Sequence, residues 1–344
     1  MIRAAAQAAL VALAMTATSG SAAPVEVLGY DDLPGWQDDD HAAALAAFRR
    51  TCDLLDDPDW SALCRLAPDV ADARAFFELF FRPVRIGAGP ALFTGYYEPE
   101  LAGSPVRTPR YSYPIYRKPP ELDPSAVWLS RAEIHASGVL RGRGLEIAWL
   151  DDPVEVFFLQ IQGSGRIRFP DGSLLRVGFG AKNNHPYRSI GAELVRRGIY
   201  EAHQVSARVI RNWVARNPAA GTELLAHNPS YVFFTPRPEL DPQSGPIGAM
   251  SRPVTAMRSI AVDPVFQPLG APVWIEKDGA EPLRRLMIAQ DTGGAIKGAQ
   301  RADIFFGSGA DAGARAGVVR DPGRLVTLLP IDLALAMADP GPGH

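Results

Sequence analysis

Between residues 45 and 80 the apolar positions recur at helical spacing. Leu45, Phe48, Cys52 and Leu55 are separated by three, four and three residues, and Val70, Ala73, Phe77 and Phe80 repeat those intervals. This is the period of helices buried along one face. The spacing predicts helix over roughly 40–82, entered through the N-capping acids of LPGWQDDD. Charges on the opposite faces read as solvated. From about Pro90 the period shortens. ALFTGYYEPEL reads as a strand entering a loop, and the chain to about 143 is Pro-rich and irregular. LEIAWL, VEVFFLQIQ, RIRF, SLLRV and VGFGAKN then read as strands. In VEVFFLQIQ, Val154, Val156, Phe158 and Gln160 alternate with Glu155, Phe157, Leu159 and Ile161. Pro170-Asp171-Gly172 between two short runs is a hairpin signal.

A short helix is expected from Ser189, and a second carries Val205, Val209 and Trp213 at helix spacing, before HNPSYVFF returns to strand. Residues 235–253 are rich in Pro and Gly and read as a linker or long loop. Beyond them MRSIAV, APVWIE, RRLMIAQ, ADIFF and RLVTLLP are short apolar runs parted by Gly and Pro. Short strands without long helices between them predict a small closed barrel. No internal repeat is visible. The final ADPGPGH reads as a flexible tail.

The 344 residues have room for about two domains. With 35 basic against 38 acidic residues, the net charge of −3 gives no sequence-wide affinity for nucleic acid. At the N-terminus a short positive segment (Arg3), an apolar run from Ala4 to Ala17 and the small residues TSGSAA form a secretory leader, 1–22, with cleavage after Ala22. The run is shorter than a bilayer span. No Cys follows the leader, so a soluble periplasmic protein is expected and attachment to the outer membrane is not. In an exported protein the two cysteines, Cys52 and Cys64, are expected to pair across the turn at Asp56-Asp57-Pro58. The six histidines are scattered, no metal spacing is present, and neither metal nor organic cofactor is expected.

AQDTGGAIKG contains the Asp-Thr-Gly triplet of aspartic proteases. Those enzymes need two carboxylates sharing a proton, and this chain has one such triplet, preceded by Ala289-Gln290. The protease reading is set aside. QIQGSGR has Gln162 where a nucleophile elbow needs glycine, so Gly163 and Gly165 read as a tight turn or a close approach to ligand. A third constellation is more informative. Asp263 ends SIAVD, Asp291 ends LMIAQD and Asp303 begins DIFFG. Adjacent barrel strands would gather these carboxylates at one mouth, where each raises the pKa of the others and one can serve as general acid.

SIAVD, AQDTGGAIKG, RADIFFGSG and AGARAG resemble the 3D domain, a double-psi β-barrel named for three aspartates. Upstream, LPGW, FTGYYEPEL, YPIYRKP, FLQIQGSGRIRFPDG, KNNHPYRSIG and NPSYVFF are similar to the membrane-bound lytic murein transglycosylase A (MltA) family. The resemblance runs in order from about Leu33 to Leu329. It implies an α+β fold, mainly β with N-terminal helices. A helical part and double-psi barrel (23–95 plus 236–344) would carry an inserted second β-barrel-like domain (96–235), with a groove between them. It also implies an activity: non-hydrolytic cleavage of the β-1,4 bond between N-acetylmuramic acid and N-acetylglucosamine in peptidoglycan, leaving 1,6-anhydro ends. The muramic O6 hydroxyl is then the nucleophile, and one carboxyl group suffices where ordinary glycosidases use two.

Carried over by motif, Asp303 is the acid/base, with Asp291 the alternative acid; in the first reading Asp291 tunes or orients Asp303, and Asp263 supports both. Thr94, Tyr96, Tyr97, Glu98, Gln160, Gln162, Gly163, Ser164, Tyr187, Ser189, Gly294 and Lys297 are candidate sugar contacts. For each aromatic, packing in the core is the competing reading. The expected partners are glycan strands of peptidoglycan, with cell-wall synthesis or division complexes a further class, and a monomer is expected. A non-catalytic glycan-binding protein and a lysozyme-like hydrolase are the alternatives.

Overall fold

The computed structural model describes residues 23–241 and 243–338. The 1–22 leader and most of the ADPGPGH tail therefore lie outside the described residues. The chain begins with β1 (Val25–Val27), α1 (His41–Cys52), α2 (Pro58–Leu66), α3 (Ala73–Phe80), β2 (Phe81–Ile86) and β3 (Ala91–Glu98). It continues through β4 (Glu100–Ser104), β5 (Tyr113–Tyr116), α4 (Arg131–Ser137), β6 (Glu146–Leu150), α5 (Pro153–Gln162), β7 (Gly165–Arg168) and β8 (Leu174–Lys182). Then come α6 (Ile190–Arg196), α7 (Ala207–Arg216), α8 (Pro218–His227) and β9 (Val232–Pro236). The last part holds β10 (Ser259–Val262), β11 (Pro272–Lys277), β12 (Leu283–Thr292), β13 (Arg301–Ser308), α9 (Ala310–Ala316), β14 (Arg320–Pro330) and α10 (Ile331–Ala338).

The three N-terminal helices start where acids can accept their unpaired N–H groups. Asp40 accepts from Ala43 N and Asp72 from Ala75 N, each at 3.0 Å, and Asp57-Pro58 opens α2. Their apolar faces bury Phe48, Phe76 and Phe77 against Phe81, Trp36 and Trp274 on one side of the barrel. Each such side chain contributes about 1.5–3 kcal/mol of burial. The Cys52–Cys64 disulfide ties α1 to α2.

The expected barrel is present and closed. Strands run β14-β11-β12-β10-β13-β3, and β3 pairs back to β14. Two of the six pairings, β10–β12 and β13–β3, are parallel. Residues from all six strands, among them Phe93, Ile260, Val273, Met287, Ile304 and Leu325, fill the interior. Their strand neighbours Trp274, Leu286, Ile288 and Val326 face out onto the helices. Burial on both faces explains why these strands read as continuous apolar runs.

The second unit leaves the barrel at the end of β3 and returns after β9. Its sheet has the order β5-β6-β4-β7-β8-β9 and curls until β5 and β9 lie close together. The Pro-Asp-Gly hairpin joins β7 and β8 as predicted. VEVFFLQIQ, expected as a strand, is instead helix α5. Asp152 caps it through Val154 N at 2.7 Å, Pro153 occupies its first turn, and Gly163 ends it in the left-handed region at φ 77°. These cap signals outweighed a weak alternation, because a helix buried on most sides shows no clear period. Helix α4 emerges from the stretch expected to be irregular, while α8, α9 and α10 carry no strong one-sided period and were not anticipated. Residues 243–254 form a folded loop whose Gly248 packs so tightly that a Cβ would lie 2.7 Å from Gln290 O.

One carboxylate joins the two units. Glu98 is 1% exposed. It receives Arg166 Nε at 2.8 Å and Arg176 Nη2 at 2.9 Å, both from the second unit, and Ser308 Oγ at 2.7 Å from the barrel. Removing one member of such a buried network leaves the others uncompensated. Glu98→Ala is expected to destabilise the protein by about 3–5 kcal/mol, measured as a lowered midpoint in urea unfolding.

Candidate functional site

Backbone register builds the site. Asp303 on β13 lies opposite Thr94 on β3 and opposite Ala261 on β10. Ala261 in turn lies opposite Asp291 on β12. Thr94, Asp303, Ala261 and Asp291 therefore form one row across four adjacent strands, on the outer surface of the barrel. Asp291 reaches that row only through a β-bulge. The register shifts between Ile260 and Ala261, so that Gln290 is the extra residue. Without it, Asp291 would keep the parity of Met287 and Ala289 and point into the apolar interior. Gln290 is held by Ser259 Oγ, by Ala47 O at 2.8 Å and by Thr51 Oγ1 at 3.0 Å.

The three aspartates have different environments. Asp291 is saturated with donors. Its Oδ1 accepts from Ala249 N at 3.0 Å and Thr292 N at 2.9 Å, and its Oδ2 from Tyr96 Oη at 2.9 Å. Burial raises its pKa, and the three hydrogen bonds oppose that rise. Tyr96 packs its ring on Phe305 at 5.1 Å.

Asp303 accepts one hydrogen bond, from Thr94 Oγ1 to Oδ1. Thr94 Oγ1 itself accepts from Arg301 Nη2 at 2.8 Å. Among the described residues nothing donates to Asp303 Oδ2. Burial holds its pKa above the ordinary carboxylate value; the Thr94 bond and the Arg301 charge pull it down, and the Asp291 charge pushes it up. Asp263 is 4% exposed and serves the adjoining loop. It accepts from Gly298 N at 2.9 Å and Val265 N at 3.4 Å, with Lys297 Nζ at 3.5 Å. The Gly298 bond leads in lowering its pKa, so it stays ionised.

The other candidates divide. Thr94 and Tyr96 belong to the aspartate row. Tyr97 N donates to Gln162 Oε1 at 3.3 Å, which brings the end of α5, with Gln162 and Gly163, beside β3. Gly163 has open space around it and serves the helix end. Ser164 is buried next to it. Gly294 and Lys297 lie exposed on the loop that Asp263 anchors. Glu98 is enclosed in the arginine network, which removes it from any sugar-contacting surface. Gln160 is buried in α5, in the second unit. Tyr187 is 43% exposed. Ser189 caps α6 through Ala192 N at 3.2 Å. No hydrogen bond connects either residue to the aspartates among the described residues.

Sequence reasoning missed Arg301, Ala261 and Ala249. Period two would have shown Arg301, which is two positions from Asp303 on the same strand face. Ala261 lies between the carboxylates by register, and Ala249 N comes from the folded loop; no local signal marks either.

Two family models match the chain: the MltA specific insert domain over residues 92–235 and the 3D domain over residues 258–329. Membrane-bound lytic murein transglycosylase A of Escherichia coli K12 is 38% identical over 251 residues, 70% of this chain and 66% of that protein. A crystal structure of a membrane-bound lytic murein transglycosylase from Agrobacterium tumefaciens superposes with a TM-score of 0.83 at 35% identity, covering 92% of this chain and 99% of that one. The chain belongs to the MltA family. E. coli MltA with bound chitohexaose is also similar, with a TM-score of 0.73 at 30% identity, covering 89% of this chain and 94% of that one. No helix among the described residues is long and apolar enough to cross a membrane.

A carboxyl group whose pKa is raised by burial costs stability once ionised. That cost is absent below the unfolded pKa, grows as pH rises through the folded pKa, and is constant above it. Asp303→Asn, which keeps an acceptor for Thr94, is expected to raise the thermal midpoint at neutral pH. The gain should vanish below about pH 4, where the unfolded carboxyl is also protonated. Melting curves across pH check this.

Proposed function

We propose that this MltA-family protein is a lytic transglycosylase of peptidoglycan, with Asp303 as its acid and base. The observation that carries the reading is that, of the three aspartates, Asp303 alone keeps an oxygen without a protein partner among the described residues. A hydrolase with two carboxylates needs a second free group, as nucleophile or as base for water. Asp291 has both oxygens occupied, and Asp263 is committed to its loop. The remaining chemistry is that of one carboxyl group and an intramolecular nucleophile.

Protonated Asp303 gives its proton to the glycosidic oxygen as the C1–O bond breaks. The muramic O6 hydroxyl then attacks C1, and the Asp303 carboxylate takes the O6 proton as the O6–C1 bond closes. The carboxyl group ends as it began, and no water enters. The O6 nucleophile belongs to the substrate, so its proximity supplies what a second catalytic group would otherwise provide. Asp291, anchored by three donors, holds its end of the row beside Asp303, whose proton is retained chiefly by burial. The relay from Arg301 through Thr94 fixes the carboxyl plane. Tyr96, Tyr97, Gln162, Gly163, Gly294 and Lys297 are proposed to contact glycan, a reading supported by the Tyr96 bond to Asp291, by the Tyr97 N–Gln162 bond beside β3 and by the exposure of Gly294 and Lys297. The 23–95 plus 236–344 and 96–235 division, and a glycan groove between the two parts, are proposed with it.

The substrate lies outside the cytoplasmic membrane, so we place the protein in the periplasm. The leader sequence and the disulfide, which persists in oxidising compartments, support that location. The curated relatives carry "membrane-bound" in their names.

Asp303→Asn is expected to lower glycan cleavage by about 10²–10⁴-fold, with a smaller loss for Asp291→Asn. Mass spectrometry of the products should show ends one water lighter than reducing sugars; reducing ends alone would overturn the mechanism. The acid must be protonated, so kcat/KM should hold at low pH and fall as pH rises through the Asp303 pKa. Thr94→Val removes a hydrogen bond that favours the carboxylate. It should move that alkaline limb to higher pH, read from the pH–rate profile.

A further inference from the structure

The second unit holds a cavity of about 1080 Å³ that none of Asp263, Asp291 and Asp303 lines. It lies between β5, β6, α4, α5 and the ends of α7 and α8. It is as large as the upper end of small-ligand sites. In its wall sits Arg131, 3% exposed. Its Nε donates to Asn228 O at 3.1 Å and its Nη2 to Ser230 O at 2.6 Å. The rings of Phe157 and Tyr231 lie 4.8 and 5.0 Å from the guanidinium carbon. Among the described residues no carboxylate lies within ion-pair distance of it, and Nη1 has no partner. Burial lowers its pKa to about 10, which leaves it charged at neutral pH. A buried cation with only carbonyl and ring partners is costly unless an anion joins it.

The rest of the wall has the same bias. Arg141 and Arg107 add two cations, and Arg107 stacks over Trp149 at 5.9 Å. The two acids in the wall are engaged: Glu146 accepts from Gly142 N at 3.3 Å, and Asp152 caps α5. His135 faces Arg131, Arg141 and the ring of Tyr231. Enclosure by the wall and then the two arginine charges lower its pKa to about 4, so it adds no charge at neutral pH. Ile134, Leu140 and Val156 supply apolar surface.

We propose that this cavity binds the carboxylate end of a short peptide, with Arg131 and Arg141 clasping the carboxylate and the apolar wall taking side chains. The choice of a peptide rests on the proposed function, since murein glycans carry peptides with free carboxylates. A second hold on the same substrate, away from the reacting bond, would position the glycan at the aspartate row.

Calorimetric titration of the whole protein tests this. The probes are an N-acetylated tetrapeptide with a free C-terminal carboxylate, the same peptide as its amide, inorganic phosphate, and chitohexaose. The free acid should bind, and the amide at least about tenfold more weakly. Arg141→Gln, at an exposed position, should weaken the acid about tenfold while leaving chitohexaose unchanged. Asp303→Asn should bind the acid as the wild type does. Absence of binding, equal affinity for acid and amide, no effect of Arg141→Gln, or phosphate competing as well as the peptide would each overturn the proposal. If the peptide bound as expected while the products of glycan cleavage carried only reducing ends, the transglycosylase reading would fail and the peptide site would stand.

Discussion

The arrangement of the carboxylates depends on one irregularity in a closed barrel. A barrel fixes the parity of each strand, because every strand has a filled interior face and cannot slip by one residue. In β12 that parity assigns Met287 and Ala289 to the interior. Asp291 would follow them. The extra residue at Gln290 reverses the parity for the strand end and turns Asp291 outward beside Ala261 and Asp303. The bulge is secured by buried hydrogen bonds to α1. The N-terminal helices thus take part in the site without touching it.

The same geometry separates the aspartates chemically. Ala261 stands between two carboxylates and brings no side-chain bulk of its own. Asp291 is surrounded by fixed donors, which favour its ionised form. Asp303 has only the Thr94 bond, and burial leads in raising its pKa. Burial raises the pKa of both carboxyl groups; three hydrogen bonds oppose the rise at Asp291, whereas the Thr94 bond and the Arg301 charge oppose it at Asp303. The relay of Arg301 and Thr94 limits the effect and keeps the carboxyl able to give up its proton.

Much of this was legible in the sequence, because strands buried on both faces leave apolar runs and because motif order carries long-range information. The five barrel strands after residue 253 were visible one by one, and three aspartates at strand ends pointed to one mouth. Helix α5 was misread because a buried helix and a buried strand both look apolar; Asp152-Pro153 and Gly163 were the better evidence. Glu98 was placed among sugar contacts by its neighbours in FTGYYEPE, yet burial and two arginines more than sixty residues away decide its role. Such partners come together only in the folded chain. The bulge has no local signature either, since Gln290 reads as an ordinary strand residue until its partners on α1 are known.

The junction of the two units follows from where the second is inserted. Strand β3 carries Thr94 and Tyr96 in the barrel and, within four residues of Thr94, reaches Glu98 and passes into β4. A glycan held partly by the second unit would act on Asp303 through this short connection, and slack there would be felt at the reacting bond, where positioning matters at the ångström level. Glu98 removes the slack. Its two oxygens tie β7 and β8 of one unit to β13 of the other. Ser308, which holds the barrel side of that tie, lies on the same strand as Asp303. The interaction that joins the units therefore also steadies the strand that carries Asp303.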